Sequence, residues 1–189
     1  MTDVSDTAVR DDLLALVAEV ERLRADRDDH HRTVQELLRG YARALAELRR
    51  RGVVRSANAP AGDYAEWLVA KALGGTLADT FSEKSWDVRL ATDERVQVKT
   101  RVVSVPIRTG QLQTSPFRSW DFETAAFVLL RAEDYTVVRA ALVPVAAVIE
   151  HGRWRQHVNG HVVMMNGALL GHPQATDITD GLNRAAALI

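Results

Sequence analysis

From Leu13 to Leu48 the apolar residues recur at alternating spacings of three and four: Leu13, Leu16, Val20 and Leu23, then Val34, Leu37, Tyr41, Ala44 and Leu48. Arg27 and His30 stand at the intervening seam positions. About five heptads of this kind read as a coiled-coil helix rather than as the helix of a globular core. Beyond Pro60 the period changes, first to a single short helical stripe and then to alternation by two. One chain cannot carry both patterns in one layer, so two parts are expected: a coiled-coil helix over residues 1–55 and an α/β domain over 56–189. Ser5 or Thr7 can cap the helix, and Gly52 ends it after Arg49, Arg50 and Arg51, since cations suit a helix C-terminus. About 43 helical residues would span roughly 65 Å.

Such a helix cannot bury its stripe alone: it must dimerise, fold back or meet a partner, and a homodimer through the coiled coil is the first expectation. Its charge is polarised. Residues 1–29 hold nine Asp/Glu against four Arg, a net of −5, and residues 30–55 hold two Glu against seven Arg, a net of +5. Pairing of unlike ends favours an antiparallel partner, and the orientation stays open. The whole chain of 189 residues sums to −1, which argues against a polybasic coat for nucleic acid.

The segment Arg55–Gly62 is small, polar and helix-breaking, the composition of a linker. Ala65, Leu68, Val69, Ala72 and Leu73 then form one helical stripe that stops at Gly74-Gly75. Strand-like runs follow at Thr76–Phe81, Trp86–Ala91 and Arg95–Val103, and Ala125–Arg131 with Tyr135–Leu142 reads as a hairpin. Pro144 suits the start of a short helix ending at Gly152, Asn159-Gly160 suits a two-residue hairpin turn, and a last helix runs from Thr179. The expected fold is α/β, a mixed central sheet flanked by helices. The chain has no cysteine, so disulfides, thiolate zinc sites and cysteine nucleophiles are excluded. The acidic start Met1–Asp6 and the lack of a long apolar run suggest no signal peptide and no membrane span, hence a cytoplasmic protein.

The chemistry concentrates between Gly62 and Arg101. Trp86, Val88 and Leu90 share one face of a strand and Asp87 and Arg89 the other, while Gln97 and Lys99 lie on the polar face of the next. A three-residue loop at Thr92-Asp93-Glu94 would set Asp87 opposite Lys99 with Gln97 one diagonal step away; a four-residue loop would shift this pairing. Glu66 lies at the edge of the helical stripe and leans toward the sheet it covers. Two carboxylates, an amide oxygen and the Val98 carbonyl are hard oxygen ligands that suit Mg²⁺ or Mn²⁺. With a lysine beside them they point to metal-assisted phosphodiester hydrolysis.

Glu66 in an early helix, then Asp87, then Gln97-Val98-Lys99 resembles the PD-(D/E)xK, or restriction-endonuclease-like, nuclease superfamily, in particular its Mrr-like branch with Gln-x-Lys. The resemblance covers about 40 residues closely. It implies a divalent metal and DNA as substrate, with Asp87 the chief metal ligand, Gln97 a weaker one, Lys99 the catalytic lysine, and Glu66 the acidic residue of the first helix. No proline precedes Asp87, and Gln97 stands where an acid is commoner, which removes one charge from the metal site. Lys84, Arg101, Arg108 and Arg55 are expected to contact phosphates. The competing expectation is a catalytically inactive nuclease-fold binding module that acts through its coiled coil. His157 and His161 would point to opposite faces of their hairpin, and the serines lack a nucleophile elbow, so neither histidine metal sites nor serine hydrolysis is expected.

Overall fold

The computed structural model describes residues 16–20, 33–56, 59–78 and 85–187. The chain divides into two units, Met1–Arg50 and Arg51–Ile189.

In the first unit residues 16–20 are helical, and α1 runs over Val34–Arg50. At 17 residues α1 is the longest helix among the described residues, so the long N-terminal coiled-coil helix expected from the heptads is not what this chain builds. The reason is a helix start inside the apolar series. Thr33 and Glu36 form a capping box: the Thr33 N–H donates to Glu36 Oε2 at 2.7 Å, and the Glu36 N–H donates to Thr33 Oγ1 at 3.3 Å. That reciprocal pair satisfies two of the N–H groups that a helix start leaves over. Arg27, His30 and the proposed caps Ser5 and Thr7 lie outside the described residues. Leu45 is buried, whereas Val34, Leu37 and Tyr41 of the predicted stripe are exposed.

The second unit is α/β. Six strands form one mixed sheet, in the order β1 (Thr76–Leu77), β2 (Val88–Arg89), β3 (Arg95–Val103), β4 (Thr124–Arg131), β5 (Val137–Pro144) and β8 (Thr176–Asp177). The pair β3–β4 is parallel and the other neighbours antiparallel. The predicted hairpin is β4–β5. β4 reads apolar on both faces because both are covered. Ala126, Val128 and Leu130 pack with Val96, Val98, Ala65, Leu68, Val69 and Leu182, beneath α2 (Ala61–Leu73) and α5 (Thr179–Ala186). Ala125, Phe127 and Leu129 pack on the other side with Val103, Phe117, Phe122, Val148, Met165 and Leu169, where α3 (Val145–His151) and α4 (Gly167–Leu170) lie. Gly74 closes α2 in the left-handed conformation at φ 67°, a position that favours glycine. No helix among the described residues is long and apolar enough to cross a membrane.

Three local expectations are corrected. β2 has two residues rather than six, and the face assignment fails at Trp86, which packs in the core opposite to the one that holds Val88. The β2–β3 loop does have three residues, but they are Ala91-Thr92-Asp93: the Leu90 N–H donates to the Glu94 carbonyl at 2.9 Å, and Asp93 takes φ 71°. Val88 therefore faces Val96 and Arg89 faces Arg95, which carries Asp87 to Gln97 instead of Lys99. Asn159-Gly160 is not a two-residue turn either. β6 (Arg153–Arg155) pairs with β7 (Gly160–Val162) so that Trp154 faces His161, and the short 3₁₀ turn Gln156–Val158 precedes Asn159 at φ 48°. Gly160 is required where β7 presses on the loop below: a Cβ there would lie 2.7 Å from the Phe117 carbonyl oxygen and 2.8 Å from Pro116 Cβ.

Candidate active site

The site forms where β2 stops and β3 continues. The Asp87 N–H donates to the Val96 carbonyl at 2.9 Å, and its carbonyl accepts from the Ala78 N–H at 2.8 Å. The backbone is thereby fixed on both sides, and the side chain takes over the next rung: Asp87 Oδ2 accepts the Val98 N–H at 2.6 Å and is also bonded by Gln97 Nε2. Strand N–H and C=O groups of one residue leave the backbone on the same side. The Val98 carbonyl therefore faces the same edge as Asp87, while its side chain is anchored in the α2-side core.

Glu66 enters from α2. Its Oε2 is paired with Arg55, whose Nη1 also donates to the Ala78 carbonyl at 2.7 Å. Arg55 is held in turn by Asp63, whose Oδ2 accepts the N–H groups of Arg55 and Ser56, each at 2.7 Å. Ala78 thus bridges Asp87, through its N–H, to Arg55, through its carbonyl. Lys99 lies on the face opposite Val98, its Nζ 4.7 Å from the centre of the Phe117 ring and 3.4 Å from the Pro116 carbonyl oxygen.

Burial pushes Glu66 up to about 7, the charge of Asp87 pushes in the same direction, and Arg55 pulls against both. Burial likewise raises the Asp87 carboxyl, opposed by the Val98 N–H, the Lys99 charge and Gln97. Lys99 is lowered by burial, against the attraction of Asp87 and Glu66, and the Arg118 guanidinium lowers it further. Two carboxylates and a lysine are thus close enough to act on one another's protons.

The donor set fits a hard divalent cation. Both contacts of Asp87 fall on Oδ2, and the contact of Glu66 falls on Oε2. Because no buried side-chain oxygen among the described residues lacks a partner, Asp87 Oδ1 and Glu66 Oε1 are reached by solvent. Gln97 donates through Nε2, and its Oε1 completes, with the Val98 carbonyl, an all-oxygen set. Among the described residues no three His, Cys, Asp or Glu side chains converge, so the acids here number two.

Of the predicted site residues, Glu66, Asp87, Gln97, Val98 and Lys99 come together. Arg55 joins them as the partner of Glu66 rather than as an outward phosphate contact. Arg101 is bonded through Nε to the Gln113 carbonyl and lines a separate cavity of about 360 Å³ with Ala61, Thr100 and Gln111. Arg108 is exposed, at the start of the 3₁₀ turn Thr109–Gln111, and Lys84 lies outside the described residues. The sequence marks Arg118, with Gln111 and Gln113, only as part of a polar loop where substrate contacts often occur; it does not point to Asp63, which sits in the first turn of α2, or to Phe117, whose loop reaches the site only through tertiary pairing. The Phe117 N–H donates to the His161 carbonyl at 2.7 Å, and the His161 N–H to the Phe117 carbonyl at 2.9 Å. No protein-family model and no curated protein sequence matches this chain.

Proposed function

We propose that this protein is a divalent-metal-dependent nuclease that hydrolyses phosphodiester bonds in DNA, of the PD-(D/E)xK kind with Gln-x-Lys. The observation that carries the reading is the convergence of Asp87, Glu66 and Gln97: each carboxylate has one oxygen held in place and one left over, and Gln97 is held through its Nε2 with its Oε1 left over, beside a half-buried lysine. When bound, Mg²⁺ or Mn²⁺ supplies Lewis-acid polarisation of a phosphate oxygen. Asp87, Glu66, Gln97 and the Val98 carbonyl are the groups that would hold it. Arg55 offsets the charge of Glu66 and holds its Oε2, which leaves Oε1 without a partner among the described residues. Lys99, lowered by burial, is placed to take a proton from an attacking water or to balance negative charge growing on the phosphate.

The reading is tested with plasmid, linear and branched DNA in Mg²⁺ and in Mn²⁺, with Lys99→Ala as control. Metal-dependent cleavage that disappears in Lys99→Ala supports it, and absence of Lys99-dependent cleavage on every substrate overturns it. A second reading, a nuclease-like binding module without catalysis, is favoured by the neutral Gln97 and the two-acid site. Metal binding separates the two: Mn²⁺ that raises the melting temperature of the wild type but not of Asp87→Ala marks a working site.

A further inference from the structure

Lys99 stands at one end of a row of rings. Its Nζ is 4.7 Å from the Phe117 ring centre, Phe117 stacks on Trp120 at 5.2 Å and 22°, Trp120 meets His161 at 5.1 Å, and His161 meets Trp154 at 5.1 Å. The row begins in the core, where Phe117 is 2% exposed, and ends at the surface, where Trp154 is 56% exposed. Trp120 and His161 are half-buried between them.

Nothing in the fold explains why Trp154 projects into water. A tryptophan buried for stability hides its ring, whereas this one leaves more than half of its surface open on a three-residue strand. Arginines surround it in the fold: Arg153 and Arg155 on the same strand, and Arg118 on the loop that pairs with the hairpin, are all exposed. Neither Arg118 nor Arg155 forms an ion pair among the described residues. An exposed aromatic ring beside unpaired guanidiniums matches an unpaired nucleic-acid strand, which offers a flat base to the ring and phosphates to the arginines. Stacked base pairs inside a duplex present no such faces.

We propose that Trp154, backed by His161 and Trp120, forms a stacking platform for an unpaired base, and that the preferred substrate is DNA with a single-stranded segment. The inference deepens the nuclease reading and rests on it for the identity of the strand as DNA. Two anchors fix the platform to the site: the paired Phe117–His161 backbone bonds and the Lys99–Pro116 contact.

The test is binding of a fluorescein-labelled oligothymidylate of about 20 nucleotides, read by anisotropy in EDTA so that no cleavage intrudes, against a duplex of equal length. Trp154→Leu keeps an apolar side chain without a π-face, and Trp154→Phe keeps the face. Stacking of one base predicts roughly a tenfold loss of oligothymidylate affinity for Trp154→Leu, less than about threefold for Trp154→Phe, and no change on duplex. Melting curves identical to wild type establish that both variants are folded. Equal affinity of wild type and Trp154→Leu, or an equal loss on duplex, overturns the platform. Failure of the nuclease reading shows itself elsewhere, as missing Lys99-dependent cleavage, whatever the Trp154 variants do.

Discussion

The Asp87 carboxylate accepts the Val98 amide at 2.6 Å, so that a side chain continues the ladder one rung past the Asp87 N–H bond to the Val96 carbonyl. The acid and the strand that carries Gln97 and Lys99 are therefore one rigid piece, and changes at either position register at the other.

Gln97→Glu tests that coupling. In the metal-free protein a second carboxylate would face Asp87 Oδ2, turning a hydrogen bond into repulsion, and the melting temperature should fall by several degrees, the size expected for about 1–2 kcal/mol in a domain this large. With Mn²⁺ the added charge is an asset, so the metal-induced rise in melting temperature should exceed that of the wild type. Calorimetry with and without Mn²⁺ checks both signs; a smaller metal effect in the variant would contradict the ligand role of position 97.

Glu66 sets a pH dependence. Its folded-state value, about 7, lies above the ordinary 4.5, so folding favours the protonated acid. That contribution is complete below about pH 4.5 and is lost as pH rises through about 7. Relative to Glu66→Gln, the metal-free wild type should lose stability between about pH 5 and 8. Over the same window Mn²⁺ binding should strengthen, because a ligating carboxylate must be ionised. Denaturant melts at several pH values decide it, and parallel curves for the two proteins would refute the assignment.

Arg55→Met leaves Glu66 and Asp87 without their nearest guanidinium. Both partners of the Arg55–Glu66 pair are less than a third exposed, at 27% and 17%, so a loss of about 1–3 kcal/mol is expected in urea unfolding. The onset of Mn²⁺ binding should move to higher pH, which a purely structural role would not cause. Arg55→Lys should restore most of the pH profile.

Gly160→Ala places a methyl group against the Phe117 carbonyl and Pro116. Because Phe117 is held by its backbone pairing with His161, the strain should cost about 1–3 kcal/mol. The fluorescence of Trp154 should report displacement of the hairpin, and cleavage should fall with it. A variant that melts like the wild type would mean that β7 can shift without cost.

What the residues disclosed in advance was whatever local periodicity controls. The stripe Ala65–Leu73 and its Gly74 stop, the β4–β5 hairpin and the last helix are set by spacing and by turn residues, and they appear as read. The convergence of Glu66, Asp87, Gln97 and Lys99 was visible for the same reason. The exact register was not, because a three-residue loop can close one position earlier when Asp93 accepts a left-handed backbone, with Arg89 3.0 Å from its carboxylate. The heptads misled because Thr33 and Glu36 start a helix within them, and a capping box of that kind competes with a continuous stripe. Arg118 could be marked as a loop residue but not placed at the site, and Phe117 was out of reach altogether, since only long-range pairing with His161 delivers their loop.

Asp87 is the residue at which the chain passes from one core to the other, with Trp86 packed on one side of the sheet and Val88 on the opposite side. A carboxylate bracketed in this way has no hinge. If the proposed nuclease reading holds, it cannot swing out to meet a substrate, so any adjustment would come from the substrate or from the loop that carries Arg118. In engineering terms, position 87 tolerates no retuning by flexibility, and altered specificity has to be sought on the β6–β7 hairpin.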